Sequence, residues 1–371
     1  MPAHALSKAV RLIEQLPRAD QADPLDHLVS HLFLRREAVQ SSRMEGTWST
    51  IDHVFTPGEI HKGGEVKSEL ASVLGYAHAL EAEFQAALKT GQKIFSKALV
   101  CRLHKKVVGK DPAFRGISGQ VRNSPVFIGG LSRKEASIYN PTPPRHIERC
   151  LKQSMEWHSD RELIEFGDSG MGMALPTRMA IGHAHFEAVH PFSDGNGRVG
   201  RMLMTLQMAA HQVLPLYLSG YIEVQKDHYM KALREAQKRL KFGPIVEFIC
   251  EAILDSHAEM KDTKSAIVNL PDEWRSRGSF RSDSSASRIL ELLITNPIIT
   301  VSQIQDTLKV TRPAANNAAA QLVHAKVLRE RTGQARNRLF AAEEVLELLA
   351  RKFSEPPSAA LLRARQLLLI E

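Results

Sequence analysis

Apolar side chains recur three and four residues apart through most of the chain, the spacing of helices with one buried face. Between residues 26 and 46 they are Leu28, Leu32, Leu34, Val39 and Met44. Between 65 and 88 they are Leu70, Leu74, Ala77, Leu80 and Phe84, with a stop expected near Gly91. A second helix-rich region begins near Ser96 and continues to about Leu254. One stretch inside it breaks the pattern. Residues 116–130, GISGQVRNSPVFIGG, alternate and carry β-branched side chains around a polar turn, which predicts a short hairpin. Further on, a helix from about Thr177 has to stop before Pro191. The glycines and asparagine of DGNG interrupt it, and RVGRMLMTLQMAAHQ resumes a helical pattern.

Beyond Leu254 the pattern changes. Residues 262–287 are polar, most clearly in RSRGSFRSDSSASR, and read as a linker. A compact unit follows from Arg288 to about Leu349. After SEPPS comes a leucine-rich tail, Leu361 to Leu369, which reads as a docked helix or a dimer contact. The expected organisation is a helical N-terminal domain (1–95), a helical core (96–261), the linker (262–287) and a C-terminal domain with its tail (288–371). The fold class is mainly α.

Composition narrows the classes of function. The chain has 371 residues, 43% apolar and 24% charged, so it can bury real cores. Its formal net charge of +8 admits an anionic ligand without demanding one. Three cysteines, Cys101, Cys150 and Cys250, are odd in number and far apart, which argues against a disulfide framework or a zinc knuckle. The first twenty residues lack an apolar core of signal-peptide length, and no later stretch is long enough to span a bilayer. A cytoplasmic location without a membrane partner is therefore the expectation.

Residues 190–201, HPFSDGNGRVGR, hold most of the candidate chemistry. A glycine loop that opens a helix aims unpaired backbone N–H groups at one point, where the helix dipole is positive. That makes an anion site suited to phosphate. Arg198 and Arg201, three apart, share a helix face and can both reach a polyphosphate. Asp194 is placed to ligate Mg²⁺, which binds through a carboxylate plus substrate phosphates. His190 can take a proton near neutral pH. A base, a metal ligand and a phosphate cradle are the parts that phosphoryl or nucleotidyl transfer needs. His183 and Glu187, four apart on the preceding helix, could face one metal, but no third ligand is evident and packing explains them better.

This stretch resembles the signature of the Fic family, in which His, Phe, an acidic residue, Gly-Asn-Gly-Arg and a second Arg stand at this spacing. The resemblance implies a protein adenylyltransferase: AMP passes from ATP to a hydroxyl side chain of a protein (Ser, Thr or Tyr), with Mg²⁺ bound. It implies that His190 deprotonates the hydroxyl and that Asp194 holds Mg²⁺. Gly195, Asn196 and Gly197 would form the anion hole within a nucleotide-binding run that continues through Arg198, Val199, Gly200 and Arg201. Phe192 would anchor the loop. The hairpin is similar to the family's flap, which pairs with the target's backbone and covers the nucleotide; that places Val126, Phe127, Ile128 and Gly129 near ATP. SGYIEVQKDHYMKALREAQ resembles the helix that completes the adenine pocket, with Tyr229 as the ring contact.

SSRMEG, residues 41–46, resembles the family's inhibitory motif through Ser41, Glu45 and Gly46. Its place ahead of the core is that of relatives inhibited from their own N-terminal domain. The resemblance implies that Glu45 pairs with Arg201 and misaligns ATP, since an arginine held by a carboxylate cannot hold a phosphate. In some relatives the same glutamate positions water to remove AMP, so a de-AMPylase is an alternative, as is a phosphotransferase on the same fold.

Residues 288–349 resemble a winged helix-turn-helix domain, with Val301–Leu308 and Arg312–Lys326 as the helix pair and a wing around Gly333. From Lys309 to Arg338 seven basic residues (Lys309, Arg312, Lys326, Arg329, Arg331, Arg336 and Arg338) stand against Glu330, a local charge of +6 suited to phosphate backbones. Asn316, Asn317 and Gln321 are the candidate base readers. The partners these features admit besides the protein substrate are DNA and a second copy of the chain. The competing reading of the whole chain is a DNA-binding or docking regulator with a nucleotide-sensing core.

Overall fold

The computed structural model describes residues 2–56, 68–109, 111, 114–129, 138–160, 174–333 and 338–369. The helices that periodicity predicts over 26–46, over 65–88 and from about Thr177 are present. In chain order the helices are α1 (Pro2–Gln15), α2 (Pro24–Met44), α3 (Ile51–Phe55), α4 (Ser68–Thr90), α5 (Lys97–Val108), α6 (Pro144–Ser159), α7 (Leu175–Val189) and α8 (Asn196–Ala210). After them come α9 (Ser219–Val224), α10 (Lys226–Arg239), α11 (Gly243–Ser276) and α12 (Ser285–Thr295). No helix among the described residues is long and apolar enough to cross a membrane.

Packing divides the chain into two compact units. The first comprises Met1–Pro24, Glu37–Trp48 and Ser68–His257. At its centre runs α8, of which every residue except Gly197 is buried. It packs against α4, α5 and α7. A helix buried on all sides needs partners for its polar side chains, and Arg198, Arg201 and Gln207 each have one. The end of α2 is fixed within this unit by Glu37, a buried carboxylate that accepts from the Tyr76 hydroxyl (3.1 Å) and the Ser219 amide (3.0 Å). Burial pushes its pKa above the usual carboxylate range.

The second unit comprises Leu25–Arg36, Ser49–Lys67 and Ala258–Glu371. After α12 the order is β1 (Ile298–Thr300), α13 (Val301–Leu308), α14 (Arg312–His324), β2 (Arg329–Glu330) and β3 (Leu339–Ala341), then α15 (Glu343–Ala350) and α16 (Pro357–Leu367). The strands form an antiparallel sheet in the order β1-β3-β2. A Thr300–Gln303 capping box starts α13. The two helices of the expected pair fall where the spacing put them; β1 was not anticipated. Part of the expected wing, residues 334–337 with Arg336, lies outside the described residues.

Two expectations are corrected here. The segment from Asp262 to Ser276 is not a linker but the last turns of α11, through Pro271. Its polar composition hides a narrow buried stripe, Thr263, Ile267, Leu270 and Trp274, spaced by four, three and four residues. The hairpin also pairs differently. Ile128 forms an isolated antiparallel bridge with Tyr139, so the flap residues pair with the chain that follows them rather than with residues 117–123. The earlier strand is unavailable because Arg122 is tied elsewhere, as described below. Gly130 lies outside the described residues.

Candidate active site

The loop between α7 and α8 is shaped by two left-handed residues. His190 ends α7 at φ +48° and Gly195 opens α8 at φ +76°. The second conformation is one that glycine adopts without a Cβ penalty. The side chain of Asn196 closes the loop on itself. Its Nδ2 donates to the Phe192 carbonyl and its Oδ1 accepts from the Phe192 amide, both at 2.9 Å. Asn196 can therefore serve an anion only through its backbone. Phe192, fully buried, is the anchor the sequence suggested.

Both motif arginines are buried and held from outside the loop. Arg198 Nη1 donates to Ser72 Oγ at 2.6 Å, and Ser72 donates in turn to the Val107 carbonyl. Arg201 donates from Nε to Ser41 Oγ (2.8 Å) and from Nη2 to the Ser41 carbonyl (2.9 Å). The same Nη2 meets Glu45 Oε1 at 2.7 Å. Burial works against the charge on Arg201, but Glu45 and the neighbouring Tyr229 and Tyr76 outweigh it, so the guanidinium holds its proton more tightly than usual. Glu45 reaches this position because α2 stops at Met44 and the chain turns at Gly46, whose φ of +83° suits glycine. It also lies against Gly197, where a Cβ would collide with Glu45 Oε1.

Asp194 stays at the surface, with a side-chain exposure of 61%. Its Oδ1 accepts from the Gly195 amide at 2.6 Å, so the first donor expected of the anion hole is satisfied by the loop's own carboxylate. Its Oδ2 lies 4.0 Å from Arg198 Nη2. One exposed carboxylate at the mouth of a phosphate cradle fits Mg²⁺, which takes one or two carboxylates and completes its shell with phosphates and water. No cluster of three His, Cys, Asp or Glu side chains suited to a metal occurs among the described residues.

The remaining predicted residues are distributed less evenly. Phe127 is exposed, Val126 and Ile128 are half-buried, and Gly129 adopts φ +62°. Val199 is fully buried and Gly200 lies beside Glu187 and His183, so both pack inward. Tyr229, the expected adenine contact, is itself buried. Its hydroxyl lies 2.7 Å from His183 Nε2 and its ring packs near Phe248.

Three residues that hold the site were not singled out from the sequence. Ser72 is the first. The second is His104, whose ring stacks on Phe192 with centroids 3.8 Å apart. Its Nδ1 accepts from the Gly119 amide (2.8 Å), so Nε2 carries the hydrogen that reaches the Asp194 carbonyl (3.1 Å). Burial drops its pKa to about 4, which keeps that tautomer neutral. The third is Arg122, whose Nε donates to the His190 carbonyl (2.8 Å) and whose Nη2 donates to the Thr142 carbonyl (2.7 Å). Its amide donates to the Pro191 carbonyl, so the start of the flap is pinned to the end of α7. No spacing rule connects these residues with a loop some 70 to 125 positions further along.

Comparisons with known proteins agree with this geometry. The Fic/DOC family profile matches residues 94–208, and the profile of the Fic/DOC family N-terminal region matches residues 3–85. Protein adenylyltransferase fic-1 of Caenorhabditis elegans is 28% identical over 178 residues, 47% of this chain and 31% of that protein. A probable protein adenylyltransferase of Aquifex aeolicus is 24% identical over 152 residues, 41% of this chain and 40% of that protein. The chain thus spans well under half the length of these curated relatives. Among solved structures, a Fic family protein from Desulfovibrio desulfuricans is 17% identical, with a TM-score of 0.50 over 92% of this chain and 94% of that one. Fic-1 from C. elegans is 18% identical, with a TM-score of 0.54 over 71% of this chain and 73% of that one. These two likenesses concern the fold. With motif, fold and both profiles in agreement, the chain belongs to the Fic/DOC family.

Proposed function

We propose that this chain is a protein adenylyltransferase that transfers AMP from ATP to a hydroxyl side chain of a protein and is restrained by its own Glu45. The observation that carries the reading is the loop from His190 to Arg201, which keeps a base, a carboxylate and a helix N-terminus together while Arg201 is held by Glu45. In the active arrangement His190 Nε2 takes the hydroxyl proton. The oxygen's electron pair forms a bond to the α-phosphorus as the bond to the departing pyrophosphate breaks. Backbone N–H groups at the start of α8 and the arginines receive the phosphates. Mg²⁺ held by Asp194 would neutralise phosphate charge.

Glu45 acts by occupation. While Arg201 Nη2 is bonded to Glu45 it cannot hold the terminal phosphate, and the α-phosphorus is misplaced for in-line attack. A charge-assisted hydrogen bond of this kind contributes about 1.5–3 kcal/mol. Releasing it therefore predicts a rise in transfer of roughly 10–100-fold. The C-terminal helix and strand order we read as a winged helix. As a DNA reader it has three of its basic residues engaged within the chain: Arg329 and Arg331 pair with Glu343, and Arg338 pairs with Glu330 and Asn316.

The test compares ATP labelled at the α-phosphorus with ATP labelled at the γ-phosphorus, using the wild-type chain, Glu45→Gly, and Glu45→Gly with His190→Ala. The reading expects α-label on protein, stronger in Glu45→Gly and lost when His190 is also replaced. Label from the γ-phosphate alone would mean phosphotransfer. Absence of label in every variant, with cell lysate added as a source of targets, would end the enzyme reading.

A further inference from the structure

Three buried side-chain atoms without a hydrogen-bond partner belong to one cluster: His183 Nδ1, Glu187 Oε1 and His190 Nδ1. Orphaned polar atoms of this kind are costly to bury and call for a reason. Glu187 stands one turn before His190 on α7, with Oε2 3.7 Å from His190 Nδ1. The backbone of His190 is already fixed, because its amide donates to the Phe186 carbonyl and its own carbonyl accepts from Arg122. What remains to be fixed is the ring, and the buried group facing Nδ1 is this carboxylate.

Glu187 is held where it stands by absence as much as by contact. A Cβ at Gly200 would come within 2.7 Å of Glu187 Oε1 and 3.1 Å of His183 Cε1. Glycine inside a helix costs about 1 kcal/mol relative to alanine. In the middle of α8 that cost has a purpose if the space belongs to the carboxylate. On its far side His183 is immobilised by Tyr229 through Nε2. Burial alone would raise the carboxyl's pKa, but His190, His183 and Arg201 outweigh it and hold it below the usual value, so the group is an anion.

We propose that Glu187 is the positioning residue for His190: it accepts the Nδ1–H, which leaves the Nε2 lone pair for the incoming hydroxyl proton and offsets the charge of the imidazolium that forms. This is the logic by which a third group orients a catalytic base. The part concerning proton transfer rests on the adenylyltransferase reading, whereas the tautomer does not.

The test therefore has two arms. Nitrogen-15 NMR of the full chain, with the His190 signals assigned by their loss in His190→Ala, reports which ring nitrogen carries the hydrogen. The proposal expects Nδ1 protonated in the wild type and a mixed or reversed tautomer in Glu187→Gln. In the Glu45→Gly background, Glu187→Gln is expected to lower kcat on the order of 10²-fold. KM for ATP is expected to stay within about twofold, since a group acting on the base alone leaves nucleotide binding intact. Glu187→Asp, which keeps the charge, should recover part of the rate and carries the test if the glutamine variant does not fold. A wild-type His190 with its hydrogen on Nε2, or a tautomer and kcat unmoved by both substitutions, overturns the proposal. If Glu45→Gly itself transfers no AMP, the adenylyltransferase reading falls, and the NMR arm still decides the role of Glu187.

Discussion

Two stretches of this chain look like anion-binding sites by charge: the loop from His190 to Arg201 and the basic segment from Lys309 to Arg338. The second is the richer in positive charge, with a surplus of +6. Yet the structure uses them in opposite ways. In the loop, glycine conformations and the start of α8 leave donors that nothing inside the chain is obliged to satisfy, and Arg201 is engaged by a carboxylate at the end of a helix that a turn at Gly46 brings in. In the C-terminal unit the arginines answer buried acids. Arg331 meets Asp52 at 2.8 Å and also Glu343, which is only 1% exposed in its side chain. Arg277 and Arg365 meet Glu344, and the Trp274 indole donates to it as well. Counting charges finds candidates for a site; the inventory of partners tells which of them remain available for a ligand.

The largest expected effect breaks the comparison on the loop side. Arg198→Ala removes a buried donor held by Ser72, one turn from the loop. Transfer in the Glu45→Gly background should fall on the order of 10²–10³-fold, the usual consequence of losing one preorganised donor. The melting temperature should fall as well, since a buried, hydrogen-bonded side chain is removed, so transfer is compared at a temperature where both proteins are folded. A variant that still transfers at a third of the parent's rate would remove Arg198 from the phosphate site.

The next prediction sharpens the other side. Glu343→Gln leaves Arg329 and Arg331 without their shared carboxylate. Breaking a buried pair and stranding its partner costs about 2–4 kcal/mol when the stranded charge is partly exposed. Denaturant unfolding followed at Trp274, which lies in this unit, should show the loss. The same variant should be retained more strongly on heparin, because Arg329 loses its carboxylate and Arg331 keeps only Asp52. Unchanged stability together with unchanged retention would mean that those pairs are incidental and that the basic segment was available all along.

The same contrast explains what could be read before any coordinates. The α7–loop–α8 unit was legible because its signals are local: Pro191 stops one helix, DGNG bends the chain, and three-and-four spacing restarts it. Glu45 was legible only through its resemblance to the family's inhibitory motif, because a helix that ends in Glu-Gly is common and names no partner. The supports of the site were not. Ser72, His104 and Arg122 act through single contacts made by tertiary packing, and a buried histidine or serine has no sequence mark of its own. The helix from Asp262 to Ser276 was missed for a related reason. It buries only one stripe, so its composition looks like a linker, and Pro271 reads as a stop. The strand Ile298–Thr300 is three residues long and exists as a strand because Leu339–Ala341 lies beside it.

The smallest expected effect, that of replacing one buried histidine, concerns pH and bears on how the loop is held. His104 and His211 have their pKa values lowered to about 4, and His158 to about 3, each chiefly by burial. A histidine whose pKa is lowered on folding binds its proton more readily unfolded, so its contribution is complete above the unfolded value near 6.5 and is lost as pH falls toward the folded value. Each such group can lower stability by at most about 1.4 kcal/mol per pH unit inside that window. His183 and His185, also lowered by burial, act with these three, and Glu37, whose pKa is raised by burial, works in the opposite direction. Unfolding of the first unit should therefore become easier as pH falls from about 6.5 to 4.5. Protonation of His104 in particular removes the acceptor for the Gly119 amide beneath the Phe192 anchor. His104→Gln should flatten the slope by the share of one group. A first unit equally stable at pH 6.5 and 4.5 would mean that these rings carry protons in the folded chain. The His104 tautomer that ties the loop to Gly119 and Asp194 would then be the wrong one.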